Sequence, residues 1–170
     1  MSVEWIDLSE MPPAALVALH RDPRVLRHLP LATGIFDAPA CRVWLAEKAR
    51  MWAVHGVGVR ALRIDGQFAG WGGLQPEAGD LGLALVLSPR FWGHGPALCR
   101  ALLAWAFDGL GRESVVVLLP PSRPRTRALA RLGFQAEGEV VLDGQCFVRF
   151  RCRAPGPTVS ARSSATCPGC

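Results

Sequence analysis

A mixed α/β domain with a mostly antiparallel central sheet is what this chain predicts. Three observations carry that prediction. Asp65-Gly66 and Asp143-Gly144 each stand between two strand-like runs, the signal of a two-residue hairpin. Asp80–Leu87 is almost continuously apolar, as a strand covered on both faces should be. That run passes through Pro89, Gly93 and Gly95 into a helix and then into the β-branched run Ser114–Leu119, which makes a β-α-β crossover. With 170 residues, 50% of them apolar and 19% charged, the chain is long enough to bury a core and too apolar to be disordered.

The elements follow in order. Val3–Leu8 is a short first strand, and Ser9 stands where it would cap a helix running from Pro12 to His20. A second helix covers Pro39–His55, with Ala40, Trp44, Met51 and Val54 as its apolar face. Val57–Ile64 and Gln67–Leu74 form the first hairpin, and Asp80–Leu87 is the next strand. Pro96, suited to a first helical turn, opens a helix reaching Leu110, with Ala97, Ala101, Trp105, Leu98 and Leu102 as its buried stripe. Ser114–Leu119 is a buried strand, and Arg125–Leu132 is a short helix stopped by Gly133. Phe134–Leu142 and Gln145–Cys152 form the second hairpin. The order is β-α-α-β-β-β-α-β-α-β-β. Residues 1–152 make the domain, and 153–170, rich in Ala, Pro, Gly, Ser and Thr, make a tail.

Composition narrows the function classes. No run approaches the roughly 18 apolar residues of a membrane span, and no basic region precedes an apolar run at the N-terminus, so neither a membrane protein nor a signal peptide is expected. The formal net charge is +5; of the 19 basic residues only Lys48 is lysine, and tyrosine is absent. The charge suits an anionic partner. Nucleic acid is disfavoured, because no recognition motif accompanies the arginines and the aromatics fall mainly on predicted core faces. Cys41 and Cys99 fall on helices and Cys146 and Cys152 on a strand, so the six cysteines are read as thiols in a reducing cytoplasm. Cys167 and Cys170 have zinc-knuckle spacing but lack a second ligand pair, so no metal is expected.

The stretch Leu87-Ser-Pro-Arg-Phe-Trp-Gly-His-Gly-Pro-Ala-Leu98 joins a buried strand to a helix. Glycines there let a ligand approach the backbone, and a helix N-terminus favours phosphate oxygens. The G-x-x-x-x-G-K-[S/T] loop is absent, and Leu98 stands where a dinucleotide fingerprint needs its third glycine.

These residues resemble a known family. Trp92-Gly93-His94-Gly95-Pro96-Ala97 resembles the W-G-K-G-x-A loop of GNAT acyl-CoA N-acyltransferases, in the branch of the ribosomal-protein N-terminal acetyltransferases. Leu132-Gly133-Phe134, Asp22-Pro23-Arg24-Val25-Leu26-Arg27 and Asp80-Leu81-Gly82 resemble three further motifs of that branch, in the family's order across Trp5–Cys152. The resemblance implies the GNAT fold, with its fourth and fifth strands splayed around the cofactor arm. It implies acetyl-CoA, or another acyl-CoA such as succinyl-CoA, as co-substrate and an amine as acceptor. It places the CoA pyrophosphate on Trp92, Gly93, His94, Gly95 and Ala97, with Pro96 giving shape alone. It places the pantetheine arm along Leu85, Val86 and Leu87, where an amide can polarise the thioester carbonyl. Arg90, Arg123, Arg125 and Arg127 offset phosphate charge, and a homodimer is compatible.

The departures are specific. Ser122 and Arg125 replace the N-x-x-S before the last helix, and Arg125 is no proton donor at neutral pH. The tyrosine that protonates the leaving thiolate in many GNAT enzymes has no counterpart. Asp80 is the first candidate for the base that deprotonates the amine, Glu77 the second, and Ser122 is kept near the thiol. His28 and His55 are candidates for the acceptor side, with the loops at Pro30–Phe36 and Asp143–Gln145 shaping it. The missing donors also leave a second class open, a non-catalytic acyl-CoA-binding domain.

Overall fold

A computed structural model gives the fold; it describes residues 1–122 and 126–156. Seven strands form one sheet: β1 (Val3–Ile6), β2 (Val59–Ile64), β3 (Gln67–Glu77), β4 (Asp80–Leu87), β5 (Ser114–Leu119), β6 (Phe134–Leu142) and β7 (Gln145–Arg153). Their spatial order is β1-β2-β3-β4-β5-β7-β6. Every neighbouring pair is antiparallel except β4–β5, the product of the crossover. The helices are α1 (Pro13–Arg21), α2 (Pro23–Leu26), α3 (Ala38–His55), α4 (Gly95–Ala104) and α5 (Thr126–Arg131).

Both Asp-Gly hairpins form, with positive φ at each central residue: Asp65 at 49° and Gly66 at 75°, Asp143 at 47° and Gly144 at 75°. Those are the conformations that a two-residue turn matched to strand twist requires. A third tight hairpin joins β3 to β4 through Ala78 (φ 46°) and Gly79 (φ 87°). It makes β3 longer than the predicted end at Leu74. Pro76 disguises this extension. It pairs with Leu81 beyond the last β2–β3 rung, Val59–Gly73, so its missing N–H breaks no ladder on that side.

Other predicted details change. Ser9 caps no helix: Asp7 caps a 3₁₀ turn at Leu8–Glu10, and the Ser9 hydroxyl donates to Asp7 Oδ1 at 2.6 Å. The short helix α2 was not predicted; Asp22 caps it by accepting from the Arg24 amide, and Pro23 opens it. On α3 the inward face runs through Cys41, Trp44, Leu45, Lys48 and Trp52, while Val54 is exposed. On α4 the buried row is Leu98, Leu102 and Leu103, and Ala97 and Ala101 face outward. Past Ala104 the helix widens into a π turn, Trp105–Gly109. Arg153 pairs with Ser114 and the Ala154 amide donates to the Glu113 carbonyl, so the domain boundary drawn after Cys152 falls inside β7. Arg123, Arg125 and the Cys167/Cys170 pair lie outside the described residues.

Strand alternation assigns two faces. Leu81, Leu83, Val115, Val117, Phe150 and Cys152 pack with Leu102, Leu103 and Ala106 of the α4 segment and Leu129 of α5; this is the back face. Val59, Ala61, Trp71 and Val86 pack with Leu16 and Leu19 of α1 and Cys41 of α3; this is the front face. Over β5, β7 and β6 the front-face positions Ser114, Glu137, Arg149 and Arg151 carry polar groups instead. Gly70 shows why β3 must lie so close to β4: at φ 145° a Cβ there would stand 2.0 Å from the Val86 carbonyl oxygen.

Candidate functional site

β4 and β5 share one register pair, Gly82–Val116, and no further rung follows among the described residues. Beyond it the strands part. The Ala84 and Val86 carbonyls point toward β3, close to where Cβ atoms on Gly72 and Gly70 would stand. Alternation therefore turns the polar backbone groups of Leu85 and Leu87 the other way, into the gap. The Leu87 carbonyl is held by Trp92, whose Nε1 donates to it at 2.9 Å. Leu85 keeps both its N–H and its C=O facing the gap, and Leu87 keeps its N–H.

The loop above the gap is more helical than its glycines suggest. Pro89–His94 is a 3₁₀ turn running directly into α4, and the Gly95 amide donates to the Trp92 carbonyl. The Phe91 amide likewise donates to the Ser88 carbonyl, so the turn engages amides at both of its ends. Gly95 has helical angles (φ −48°, ψ −49°), and a Cβ at Gly93 or Gly95 would meet nothing within 4 Å. Neither glycine is required by packing, and Gly95 is not required by its backbone angles. What two glycines in an open loop provide is clearance for a ligand. Arg90 is exposed beside the Phe91 ring, and His94 stands 6.1 Å from the same ring. His28 lies 6.0 Å from the Trp92 ring, which brings the α2 end of the chain to this loop. Ser122 and Arg127 are exposed, Ser122 just past the end of β5. His55 lies elsewhere, at the end of α3, where it lines a cleft with Asp80, Glu113 and Ser114.

The front face beneath the gap holds the acidic candidates. Asp80 is clamped: Arg151 donates to its Oδ1 at 2.6 Å and to its Oδ2 at 3.2 Å, and Arg149 donates to the same carboxylate. Arg151 first, and Arg149 with it, hold the Asp80 carboxyl below its ordinary pKa. A carboxylate held so is a weak proton acceptor. Glu77 faces Asp80 across the β3–β4 rung and differs from it. It makes no hydrogen bond or ion pair among the described residues. Its side chain lies over Gly82, where a Cβ would stand 2.9 Å from the Glu77 Cβ. Gly82 is the residue of the single β4–β5 rung, so the Glu77 side chain lies beside the place where the strands divide.

Four groups on this face were not singled out from the sequence. Arg149, Arg151 and Glu137 form the clamp, and the period-two run Arg149, Arg151, Arg153 was the available signal. Lys48 is the fourth. It donates to Gln75 Oε1 at 3.3 Å and lies 5.8 Å from the Trp44 ring, and burial lowers its pKa. Nearby, Trp71 Nε1 donates to His20 Nε2 at 2.8 Å inside a cage of Phe36, Trp44 and Trp71. Burial holds the His20 pKa at about 4.

A parallel strand pair opening from one rung, with a glycine loop leading from it into a helix, is the arrangement the family resemblance implies. A family model described as "Acetyltransferase (GNAT) domain" matches residues 7–135. The chain belongs to the GNAT acetyltransferase domain family. Solved structures agree on the fold. A putative GNAT-family acetyltransferase from Bordetella pertussis superposes with a TM-score of 0.70 at 21% identity, over 88% of this chain and 93% of that one. An acetyltransferase from Agrobacterium tumefaciens strain C58 gives 0.71 at 19%, over 89% and 91%. The aminoglycoside acetyltransferase AAC(6')-Ib, solved in complex with coenzyme A, gives 0.67 at 15%, over 89% and 94%. No curated protein matches. The GNAT assignment makes this chain an acetyltransferase of the acyl-CoA-dependent kind. Among the described residues no cluster of His, Cys, Asp and Glu is arranged to hold a metal ion. None of their helices is long and apolar enough to cross a membrane. Cys41, Cys146 and Cys152 are in no disulfide.

Proposed function

We propose that the protein is an N-acetyltransferase that moves an acetyl group from acetyl-CoA to a primary amine, by direct attack within a ternary complex. The observation that carries this reading is the gap between β4 and β5. Its edge presents the Leu85 N–H and C=O and the Leu87 N–H, and its mouth is bordered by glycines that the protein's own packing does not need. When bound there, acetyl-CoA supplies an activated acyl group. Leu85 and Leu87 hold the pantetheine arm as an added strand would, and an amide between them polarises the thioester carbonyl. The loop at Trp92, Gly93, His94 and Ala97 holds the pyrophosphate, and Arg90 and His94 offset its charge. Ser122 lies near the cofactor arm and its thiol, and Arg125 offsets phosphate charge.

Glu77, beside the single rung and without a hydrogen bond or ion pair among the described residues, takes the proton from the acceptor amine. Asp80 holds its shape and charge for another purpose. With no tyrosine in the chain, the thiolate leaves unassisted or takes a proton through water. The acceptor is a protein N-terminus or a small-molecule amine, entering on the front face; aminoglycosides are one class to include, given the structure of AAC(6')-Ib. Cys41, Cys146 and Cys152, none of them in a disulfide, are the reason to place the protein in a reducing compartment, the cytoplasm.

The test is release of free CoA thiol from acetyl-CoA in the presence of a panel of peptides with free N-termini, aminoglycosides and small amines. Amine-dependent release, with a matching gain of one acetyl group on the amine, supports the reading. Binding of acetyl-CoA without release on any amine favours the non-catalytic acyl-CoA-binding domain.

A further inference from the structure

The gap that would hold the cofactor arm has a weak hinge. Backbone pairing joins β4 to β5 at one rung, so the sheet's two parts, β1–β4 and β5-β7-β6, meet over a very short seam. Five side chains from four strands cross that seam on the front face. Arg151 of β7 pairs in register with Val116, the β5 residue of the single rung. Its guanidinium donates to Asp80 on β4 at 2.6 Å and 3.2 Å, to Ser114 Oγ on β5 at 2.8 Å, and to Glu137 on β6 at 2.5 Å. Arg149, one step toward the gap and opposite Leu118, donates to Asp80 and to Glu137 Oε2 at 3.1 Å. The side chains are partly withdrawn from water, 16% exposed for Arg151, 19% for Arg149 and 25% for Asp80, with Glu137 at the outer, solvent-facing edge.

We infer that Asp80 and Arg151, supported by Arg149, Glu137 and Ser114, form a positioning clamp that sets how far β4 and β5 open and so aligns Leu85 and Leu87 on the cofactor arm. The planar guanidinium with its fixed fork of donors is the group that can hold acceptors on three strands at one geometry. A lysine in its place would be a point charge and would leave acceptors unserved. The location matters as much as the strength. At the rung from which the strands diverge, a small rotation of one part of the sheet becomes a larger displacement at Leu85 and Leu87. This inference rests on the proposed placement of acetyl-CoA. It also gives Asp80 a role other than proton acceptor, consistent with the partners that hold its carboxylate.

The experiment compares the full chain with Asp80→Asn, Arg151→Gln, the double variant and Arg151→Lys. It measures acetyl-CoA affinity by calorimetry, and kcat and KM wherever an acceptor is found. Each sample is first checked for native circular dichroism well below its melting temperature. A clamp makes the two single variants alike: acetyl-CoA binding weakens by about tenfold in each, and the double variant is no worse than either, because the pair acts as one unit. Arg151→Lys, which keeps the charge and is the variant least apt to unfold, falls between them and the unsubstituted protein. Affinity unchanged from the unsubstituted protein in Asp80→Asn and Arg151→Lys overturns the clamp. So does loss of kcat confined to Asp80→Asn with affinity intact, the signature of a proton acceptor. If the unsubstituted protein binds no acetyl-CoA, the proposed function fails first and the clamp falls with it.

Discussion

His20 offers a prediction whose size follows from its surroundings. Its ring is 7% exposed, enclosed by Phe36, Trp44 and Trp71, with Nε2 accepting a hydrogen bond from the Trp71 indole. An Nε2 that accepts carries no proton, so the folded protein holds the neutral imidazole. Desolvation first, and the nearby Lys48 charge second, bring the pKa from 6.5 to about 4. The sign follows from linkage: below pH 6.5 the unfolded chain takes a proton that the folded one refuses, so stability falls as pH falls toward 4 and is level above 6.5. At about 1.4 kcal/mol per pH unit, moving from pH 7.5 to pH 5 costs on the order of 2 kcal/mol. Stopping at pH 5 stays above the ordinary carboxylate range, where Asp80 and Glu137 begin to contribute. Urea melts at the two pH values read the loss directly. His20→Gln keeps an acceptor for the indole without titrating there, and its melts should lose most of that pH dependence. Equal pH slopes in the two proteins would refute the reasoning.

Further predictions concern the site and the sheet. Gly95→Trp should abolish acetyl-CoA binding by calorimetry while leaving the melting temperature within a few degrees, because its backbone is helical and the space around it is open. Glu77→Gln should lower kcat by about 10²- to 10⁴-fold and leave acetyl-CoA affinity unchanged, as removal of a general base does; unchanged turnover would remove Glu77 from the mechanism. Gly70→Ala should destabilise the fold by about 2–4 kcal/mol in urea denaturation, because its Cβ would collide with the Val86 carbonyl at a φ that side chains avoid. Asp80 and Glu137, both held ionised by Arg151 and Arg149, stabilise the fold above their unfolded pKa values near 4. That contribution should be lost as pH falls below that range, and Arg151→Gln should flatten the acid limb.

Much of this architecture was readable in the residues because it depends on local rules. Asp-Gly turns, a doubly buried apolar strand and a proline-opened helix each act over a few residues, and each appears where the sequence puts it. The β3–β4 hairpin is hidden in the sequence because Pro76 looks like a strand breaker, and it ceases to be one only when β2 ends short of it. The α3 face differs from its apolar pattern at Val54 because the inward row includes Lys48, whose stem is buried while its amine reaches Gln75. The cofactor loop was legible as a motif, but its 3₁₀ geometry, which engages the Gly95 amide, was not. Asp80 shows the limit most plainly. An acid at the head of a strand reads as a base until β7, some 70 residues later, delivers two arginines to it. Glu77, ranked below it, gains weight because a turn folds it over Gly82.

The central claim is that the acetyl donor lies in the gap between β4 and β5. Amide hydrogen exchange followed by NMR, with and without saturating acetyl-CoA, tests it at the residues concerned. The Leu85 and Leu87 amides should become strongly protected when acetyl-CoA is added, while amides far from the gap, such as Arg60 on β2, stay as they were. Unchanged exchange at Leu85 and Leu87 in a protein that demonstrably binds acetyl-CoA would contradict the account.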